Sequence, residues 1–210
     1  ATTESNFNRL LESNIRFSQQ LWHWCAKNKV PFIYASSAAT YGDGSFNYND
    51  NESELVQLNP LNAYGYSKHF FDRWIQLELA KKQPAPPQWC GLKFFNVYGP
   101  NEYHKGRMAS VVFHAFNQYK ESKQIKLFKS EHPSYKDGMQ VRDFIYVKDA
   151  VKVVIFFLNN SKFSGVYNVG TGNPETFKAL AEAVLSNNTG NPDEIKYINM
   201  PNDLKGKYQY

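Results

Sequence analysis

The pentapeptide YGYSK, Tyr64 to Lys68, places two tyrosines upstream of one lysine. On a helix, side chains four residues apart lie one above the other, whereas side chains two residues apart point to nearly opposite sides. We therefore expect Tyr64, and not Tyr66, to share a site with Lys68. A nearby ammonium favours the phenolate, so Lys68 is expected to lower the pKa of Tyr64 from its ordinary value near ~10. The pair is a candidate general acid and base. It needs a third member, because the chain contains 14 tyrosines and such a pair arises easily by chance.

A third candidate group lies in the segment ASSAATYG, residues 35–42. A short apolar run precedes it, so small hydroxyl residues are expected at the carboxyl end of a strand, the edge where open α/β sheets place ligands. A serine there can hydrogen-bond the same substrate oxygen that the tyrosine protonates or deprotonates. The alternative is that Ser36, Ser37 and Thr40 satisfy backbone groups of a turn, as serine and threonine often do.

The elements that would position these residues alternate between strand and helix. Apolar residues recur with a helical period in 6–29, in 64–82 and in RMASVVFHAFNQYK, VKDAVKVVIFFLNN and ETFKALAEAVLSN. Short apolar runs of strand length are PFIYAS, GLKFFNVYGP, IKLF, GVYNVG and IKYINM. This alternation predicts parallel βαβ units, and therefore a Rossmann-like α/β layer.

The composition excludes several classes of protein. With 210 residues and 42% hydrophobic content, the chain can bury a core and form one domain or one and a half. Cys25 and Cys90 have no metal-like spacing and are expected to be reduced core thiols of a cytoplasmic protein. The longest apolar run, VVIFFL, is far shorter than the roughly 20 residues that cross a bilayer, so no membrane partner is expected.

The net charge of +5 is distributed over scattered basic residues that are mixed with acidic ones. Nucleic-acid binding usually needs a basic run or stripe, so no nucleic-acid partner is expected. The lysines between residues 120 and 148 could surround a phosphorylated small molecule, or form a solvated face.

One expected feature of a dinucleotide-binding sheet is missing from the sequence. Such a sheet normally begins with a strand and a glycine-rich turn at a helix N-terminus, but no G-x-G-x-x-G occurs here. The segment GTGNPET, from Gly170, follows a late strand and has a different glycine spacing. We therefore expect the chain to be an internal piece of a longer protein that lacks the first part of the sheet.

The order and spacing of SSAATYG, YGYSK and FFNVYGP closely resemble the extended short-chain dehydrogenase/reductase family, over essentially the whole chain. The segments NEYHKGRMASVVFH, VRDFIYVKD, VYNVGTG and LKGKYQY are similar, more narrowly, to the ADP-L-glycero-D-manno-heptose 6-epimerases, a bacterial subfamily of lipopolysaccharide core synthesis. The resemblance implies the later part of a Rossmann-like parallel sheet with a smaller C-terminal substrate-binding subdomain. Residues 1–100 would form an incomplete NADP-binding domain. Residues 101–210 would form mainly the subdomain, with about 141–170 returning to the Rossmann domain.

The resemblance also implies roles for individual residues. The catalytic residues would be Ser37, Tyr64 and Lys68, with Lys105 as a second acid/base opposite the tyrosine. The cofactor would be contacted by Asn14, Tyr64, Lys68 and Val97. The nucleotide sugar would be contacted by Asn96, Arg107, His114, Phe128, Lys129, Ser130, Glu131, Arg142 and Tyr208. Without the resemblance, Lys105 would be interpreted as a surface loop lysine and His114 as a core histidine. Arg142 could form a simple ion pair with the neighbouring Asp143 at the end of a strand.

The reaction implied by the resemblance is inversion of the C6'' centre of ADP-glycero-manno-heptose through transient oxidation by bound NADP. NAD stays possible, because the residues that read the ribose 2′ position lie outside this sequence. No metal is expected. The resemblance implies a homo-oligomer, specifically a pentamer. The alternatives are another nucleotide-sugar epimerase or dehydratase, or a non-catalytic nucleotide-binding protein. Dehydratases usually carry acidic residues directly after the serine-threonine motif, and SSAATYG has none.

Overall fold

The computed structural model describes Glu4 and residues 6–202. The chain divides into two compact units. The first unit contains the residues up to Phe95 together with Asp149–Val169, and the second contains Asn96–Lys148 together with the residues from Gly170 onward. No described helix is both long enough and apolar enough to traverse a lipid bilayer.

A parallel three-stranded sheet organises the first unit. Its strands are β1 (Phe32–Ser37), β2 (Trp89–Phe94) and β7 (Gly165–Val169), in the order β1-β2-β7. In the register of β1 and β2, Ser36 is paired with Lys93. Because the strands are parallel, their carboxyl ends lie at one edge, and Ser37 ends β1 at that edge. This confirms the predicted Rossmann-like α/β layer.

Helices of the first unit pack against this sheet. They are α1 (Phe7–Leu10), a π-helical stretch (Leu11–Arg16), α2 (Phe17–Asn28), α3 (Ala63–Ala80) and the greater part of α5 (Val147–Asn159). The helix α3 begins where the Asn62 side chain accepts a hydrogen bond from the Gly65 amide at 2.8 Å, as expected of an N-cap. The core between helices and sheet consists of large apolar side chains, among them Trp22, Phe32, Phe71, Ile75 and Trp89. Burying such a side chain stabilises the fold by about 1.5–3 kcal/mol.

The second unit is built from short strand pairs and two helices. The strand pairs are β3 (Asn96–Tyr98) with β6 (Phe144–Tyr146), β4 (Ile125–Phe128) with β9 (Ile195–Ile198), and β5 (Val141–Arg142) with β8 (Glu175–Thr176). The first two pairs are parallel and the third is antiparallel. The helices are α4 (Val111–Ser122) and α6 (Phe177–Ser186), and their buried faces share a core with β4 and β9.

The predicted strand GLKFFNVYGP is wrong as a single element, because the structure divides it into β2 and β3. The Phe95 amide donates to the Val169 carbonyl at 3.1 Å, whereas the next amide, that of Asn96, donates to the Asp143 carbonyl at 3.0 Å. The backbone therefore changes its pairing partner between two consecutive residues. The strands β5, β6 and β8 were not predicted as strands, because two or three residues are too few to show a period.

Candidate active site

Ser37 closes the strand β1 and opens a tight 3₁₀ turn, Ala38–Tyr41. Its Oγ accepts a hydrogen bond from the Ala39 amide at 3.1 Å, and the Thr40 hydroxyl donates to its carbonyl at 2.9 Å. Both hydroxyl residues thus satisfy turn backbone, as the alternative interpretation expected. This bonding also fixes the position of the Ser37 side chain at the edge of the sheet.

Tyr64 and Lys68 lie on one face of α3, as the helical spacing predicts. The Lys68 Nζ lies 5.9 Å from the centroid of the Tyr64 ring and donates to the Ala35 carbonyl at 2.9 Å. Tyr66 faces another direction: its hydroxyl donates to Asn59 Oδ1 at 2.6 Å. The identity of the tyrosine beside the lysine is therefore confirmed.

The ionisation of this pair differs from the expectation. Burial raises the pKa of Tyr64, and a hydrogen-bonding interaction with the Ser37 side chain opposes that rise without cancelling it. The predicted lowering by Lys68 is wrong for the structure described, because desolvation of the phenolate outweighs the other influences. Burial likewise lowers the pKa of Lys68, and the charge of Asp72 opposes that change. Burial therefore favours the protonated phenol of Tyr64 in this arrangement.

Asn14, one of the predicted cofactor residues, lies in the π-helical stretch. Its Nδ2 donates to Ser67 Oγ at 2.9 Å, and Ser67 in turn donates to the Tyr64 carbonyl at 2.7 Å. A π-helical turn inside a helix is uncommon and is frequent at functional sites. The structure thus links Asn14 to the helical turn that carries Tyr64.

Lys105 lies in the second unit, in the 3₁₀ segment Tyr103–Met108. Its Nζ is 3.5 Å from an oxygen of Glu102, whose side chain is buried. Glu102 also accepts hydrogen bonds from the Ser110 amide and hydroxyl, both at 2.7 Å, and from the Gly99 amide at 3.2 Å. Burial raises the pKa of Glu102, but these hydrogen bonds and the charge of Lys105 lower it further than burial raises it. A fixed carboxylate therefore stands beside the Lys105 ammonium.

Two predicted residues, Asn96 and Val97, lie on β3, with Asn96 exposed and Val97 half-buried.

Arg142 lies on β5, with its guanidinium carbon 5.5 Å from the centroid of the Phe177 ring. The neighbouring Asp143 carboxylate accepts hydrogen bonds from the amides of Thr171 and Gly172 at 2.8–2.9 Å. The GTG segment is therefore held by Asp143.

The remaining predicted substrate residues also lie in the second unit. His114 is half-buried on α4, with its ring centroid 6.0 Å from that of Phe113. Phe128 ends β4, and the following residues 129–131 continue into a loop in which the Ser130 amide donates to Asp137 Oδ1 at 2.8 Å. Arg107 is exposed, and Tyr208 lies outside the described residues. By contrast, the predicted residues Ser37, Tyr64, Lys68 and Asn14 all lie in the first unit, where the contacts described above bring them together.

A family model described as the NAD dependent epimerase/dehydratase family matches residues 1–170. The chain belongs to this family.

Relatives in this family carry a more specific name. The ADP-L-glycero-D-manno-heptose-6-epimerase of Fusobacterium nucleatum is 52% identical over all of this chain, and that of Nitratidesulfovibrio vulgaris is 48% identical. The chain spans 64% and 63% of the length of these two relatives.

Solved structures of the family share the fold. The Helicobacter pylori ADP-L-glycero-D-manno-heptose-6-epimerase superposes with a TM-score of 0.75 at 28% identity, over 92% of this chain and 56% of that one. A UDP-N-acetylglucosamine 4-epimerase from Methanobrevibacter ruminantium gives 0.74 at 26% identity, over 92% and 58%. The Thermus thermophilus UDP-glucose 4-epimerase, solved with NAD, gives 0.67 at 25% identity, over 89% and 57%.

The residues of this epimerase/dehydratase chain fit one end of a nicotinamide nucleotide. Lys68 has three N–H donors and gives one to Ala35, so further donors can reach ribose hydroxyls. The phenol of Tyr64 lies on the same helix face. The glycine-rich turn that would hold the pyrophosphate is not in this sequence.

Sequence reasoning missed a group of buried polar residues beneath the serine strand, the foremost being Asp72 and Lys93. Asp72 is 1% exposed and Lys93 is 0% exposed. Two signals were available: Asp72 follows Lys68 by one further helical step of four, and Lys93 interrupts an apolar strand.

Proposed function

We propose that the protein containing this chain inverts the C6'' centre of ADP-glycero-manno-heptose by transient oxidation and re-reduction, with NADP as cofactor. The observation that carries this proposal is the shared site of Ser37, Tyr64 and Lys68 at the carboxyl edge of a parallel sheet. Heptose epimerases from two organisms match the whole chain at 48–52% identity, which supports the choice of substrate.

The chemistry follows from the substrate carbon. Its C–H bond is not acidic, so direct removal of a proton is ruled out as the first step. A bound nicotinamide nucleotide supplies the group that accepts a hydride and later returns it. As the carbon loses its hydride, the hydroxyl loses its proton to a side-chain base and a C=O bond forms. Return of hydride to the opposite face, with a proton to the oxygen, gives the other epimer.

Tyr64 is the acid/base for one of the two epimers. The Ser37 side chain, held by the turn, hydrogen-bonds the reacting oxygen and orients it towards Tyr64. The Lys68 ammonium lies on the same helix face and is positioned to hydrogen-bond the cofactor ribose. Burial raises the pKa of the Tyr64 phenol, and the hydrogen bond with Ser37 opposes that rise. General acid–base groups of this kind typically contribute ~10²–10⁴-fold to a rate.

Lys105 serves the other epimer, because the alcohol oxygens of the two epimers lie on opposite sides of the reacting carbon. Glu102 fixes its ammonium beside a buried carboxylate. Lys105 is therefore poised as the acid that returns a proton to the ketone oxygen, and as the base in the reverse direction.

Binding of the sugar nucleotide is assigned to the second unit. The planar Arg142 guanidinium can donate two parallel hydrogen bonds to diphosphate oxygens. Asn14 and Val97 contact the cofactor. The sugar and nucleotide contacts are Asn96, Arg107, His114, Phe128, Lys129, Ser130, Glu131 and Tyr208. The enzyme is proposed to act in the cytoplasm on a lipopolysaccharide precursor, as a homo-oligomer, without membrane or nucleic-acid partners.

The test uses the full-length protein, NADP and ADP-D-glycero-D-manno-heptose in D₂O, with the sugar followed by NMR. Conversion to the L-glycero epimer without deuterium at C6'' is expected, because the hydrogen returns as the hydride that left. Deuterium incorporation would show proton abstraction and contradict the redox route. Conversion of UDP-N-acetylglucosamine, with the heptose unchanged, would show a 4-epimerase instead.

A further inference from the structure

Asp72 occupies a buried position between helix α3 and strand β1. Its carboxylate accepts a hydrogen bond from the Tyr34 hydroxyl at 2.9 Å and another from Ser36 Oγ at 2.6 Å. The Tyr34 ring reaches this position because it lies across Gly91 of β2, where any side chain would collide with the Tyr34 hydroxyl. The sheet is therefore built to bring a phenol and a hydroxyl to this carboxylate.

Lys93 lies beside Ser36 on the neighbouring strand and is fully buried. Its Nζ donates to Thr40 Oγ1 at 2.8 Å and lies 4.3 Å from the centroid of the Tyr41 ring. The attraction between Lys93 and Asp72 is one of the influences on both groups. A buried charge is unfavourable unless other charges and hydrogen bonds compensate it, so an apolar pair would fill this space at lower cost.

Both charged groups are connected to the candidate active site. Thr40, which accepts from Lys93, donates to the Ser37 carbonyl at 2.9 Å. Asp72 binds the side chain of Ser36 and stands one helical turn after Lys68, where its charge raises the pKa of Lys68 against the effect of burial. One group of the pair thus holds the backbone of Ser37, and the other acts on Lys68.

We propose that Asp72 and Lys93 are positioning residues of the active site. Asp72 holds Ser36 and places a carboxylate one helical turn after Lys68. Lys93 compensates the charge of Asp72 while it fixes Ser37 through Thr40. The inference deepens the proposed function and rests on it for its catalytic consequence, but the effect on Lys68 can be measured without any substrate.

The charges around the pair determine the sign of the expected effect. Several titratable or hydrogen-bonding groups interact with Asp72 or Lys93. They are Tyr34, Ser36, Thr40, Tyr41, Asp50, Glu52, Lys68 and His69. Burial lowers the pKa of Lys93 to about 8, against the attraction of Asp72 and Asp50. Removing the Asp72 carboxylate removes an attraction that opposes the effect of burial on Lys68, so Lys68 should lose its proton at a lower pH.

The first measurement is an NMR titration of the full-length protein with ¹³C-labelled lysine, in which Lys68→Arg assigns the signal. In Asp72→Asn, the pKa of Lys68 should fall by about one unit or more, the size expected when a close opposite charge is lost. Asp149→Asn is the matched control, because Asp149 is an exposed carboxylate on α5 that pairs with Lys152. An unchanged Lys68 titration in Asp72→Asn would overturn the proposal.

The second measurement is the pH profile of kcat/KM for heptose epimerisation. The alkaline limb of Asp72→Asn should move to lower pH by the same amount as the Lys68 titration, and Asp72→Glu should restore part of the shift. If the alkaline limb of the kcat/KM profile stays in place while the Lys68 titration moves, the positioning role of Asp72 in catalysis would be overturned. Absence of epimerase activity in the unsubstituted protein would refute the proposed function, yet the NMR titration would still decide the effect on Lys68.

The third measurement concerns the compensation between the two charges. Lys93→Met and Asp72→Asn should each lower the melting temperature, because each leaves an uncompensated buried charge. The double variant should be more stable than the sum of the two changes predicts, because neither charge then remains. Lys93→Arg should lose less than Lys93→Met, and strict additivity of the two single changes would contradict the compensation.

Discussion

Tyr64 and Tyr66 differ in what their hydroxyls contact, although two residues separate them. The Tyr66 hydroxyl is held by Asn59 at 2.6 Å. Tyr64 instead faces the Ser37 side chain and lies beside the Lys68 ammonium. Removing each hydroxyl in turn therefore separates the chemical role of the Tyr64 phenol from the general effect of losing a tyrosine hydroxyl on α3.

In the full-length protein, Tyr64→Phe should lower kcat by about 10²-fold or more, because it removes the proton-exchanging group and keeps the ring. Tyr66→Phe is the matched control and should retain most of the activity, since it removes a hydroxyl from outside the site. Steady-state rates with ADP-heptose measure both. Equal losses in the two variants would mean that the face of α3 has been assigned to the wrong tyrosine.

Lys105→Met should affect the two heptose epimers unequally. If Lys105 serves one epimer and Tyr64 the other, Lys105→Met should slow oxidation of one epimer more strongly, and Tyr64→Phe should show the reverse preference. Single-turnover reduction of NADP, followed by absorbance with each epimer in turn, measures this. Lys120→Met, a change at an exposed lysine of α4, is the control. A uniform slowing of both epimers would reduce Lys105 to a positioning role.

At the scale of elements, the helix α3 carries the site and also a titratable group that faces its packing side. His69 is 7% exposed, and burial lowers its pKa to about 4, assisted by the charges of Lys93 and Arg73. In the unfolded chain a histidine titrates near ~6.5. The folded state therefore requires a neutral imidazole at a position where the unfolded state readily accepts a proton.

The sign of the resulting pH dependence follows from proton linkage. Below about pH 6.5 the unfolded chain binds a proton that the folded protein binds only near pH 4, so the free energy of unfolding should fall over this window. The contribution of His69 is on the order of 2 kcal/mol, and it should be removed in His69→Leu. Denaturant unfolding at pH 7 and pH 4.5 measures the difference. His23→Gln, at an exposed histidine, should keep the original pH dependence. Retention of the full dependence in His69→Leu would assign it to another group.

At the scale of the whole molecule, this sequence of 210 residues carries the catalytic candidates and no G-x-G-x-x-G turn. The chain spans 64% of the length of a heptose epimerase to which it is 52% identical. In dinucleotide-binding folds, backbone amides of the glycine-rich turn and a helix N-terminus hold the pyrophosphate of the cofactor.

The 210-residue chain alone should therefore bind NADP(H) poorly, with a Kd weaker than micromolar, while the full-length protein binds it tightly. Titration of the two proteins by NADPH fluorescence or by calorimetry measures this. Circular dichroism of the 210-residue chain must first show that it is folded. Micromolar or tighter binding by the folded 210-residue chain would refute the argument from the missing turn.

Local patterns predicted the elements of the fold that depend on neighbours in the sequence. The helices α3 and α6 and the strands β1, β4 and β7 lie close to where periodicity and short apolar runs place them. The face shared by Tyr64 and Lys68 was predictable for the same reason, because a helix fixes the direction of a residue relative to the one four positions later. Roles that rest on the resemblance alone, such as those of Lys105 and Arg142, stay predictions.

The sequence by itself determined the class of fold, the candidate catalytic pair and the resemblance to nucleotide-sugar epimerases, because helix periodicity and motif order are local properties of the chain. Only the tertiary structure decided that burial raises the pKa of Tyr64, and that GLKFFNVYGP divides between two sheets at Phe95. It also placed Asp72 and Lys93 beneath the serine strand. Each of these depends on which distant segments pack against a residue and on how much water they exclude, and neither property is encoded in the spacing of nearby residues.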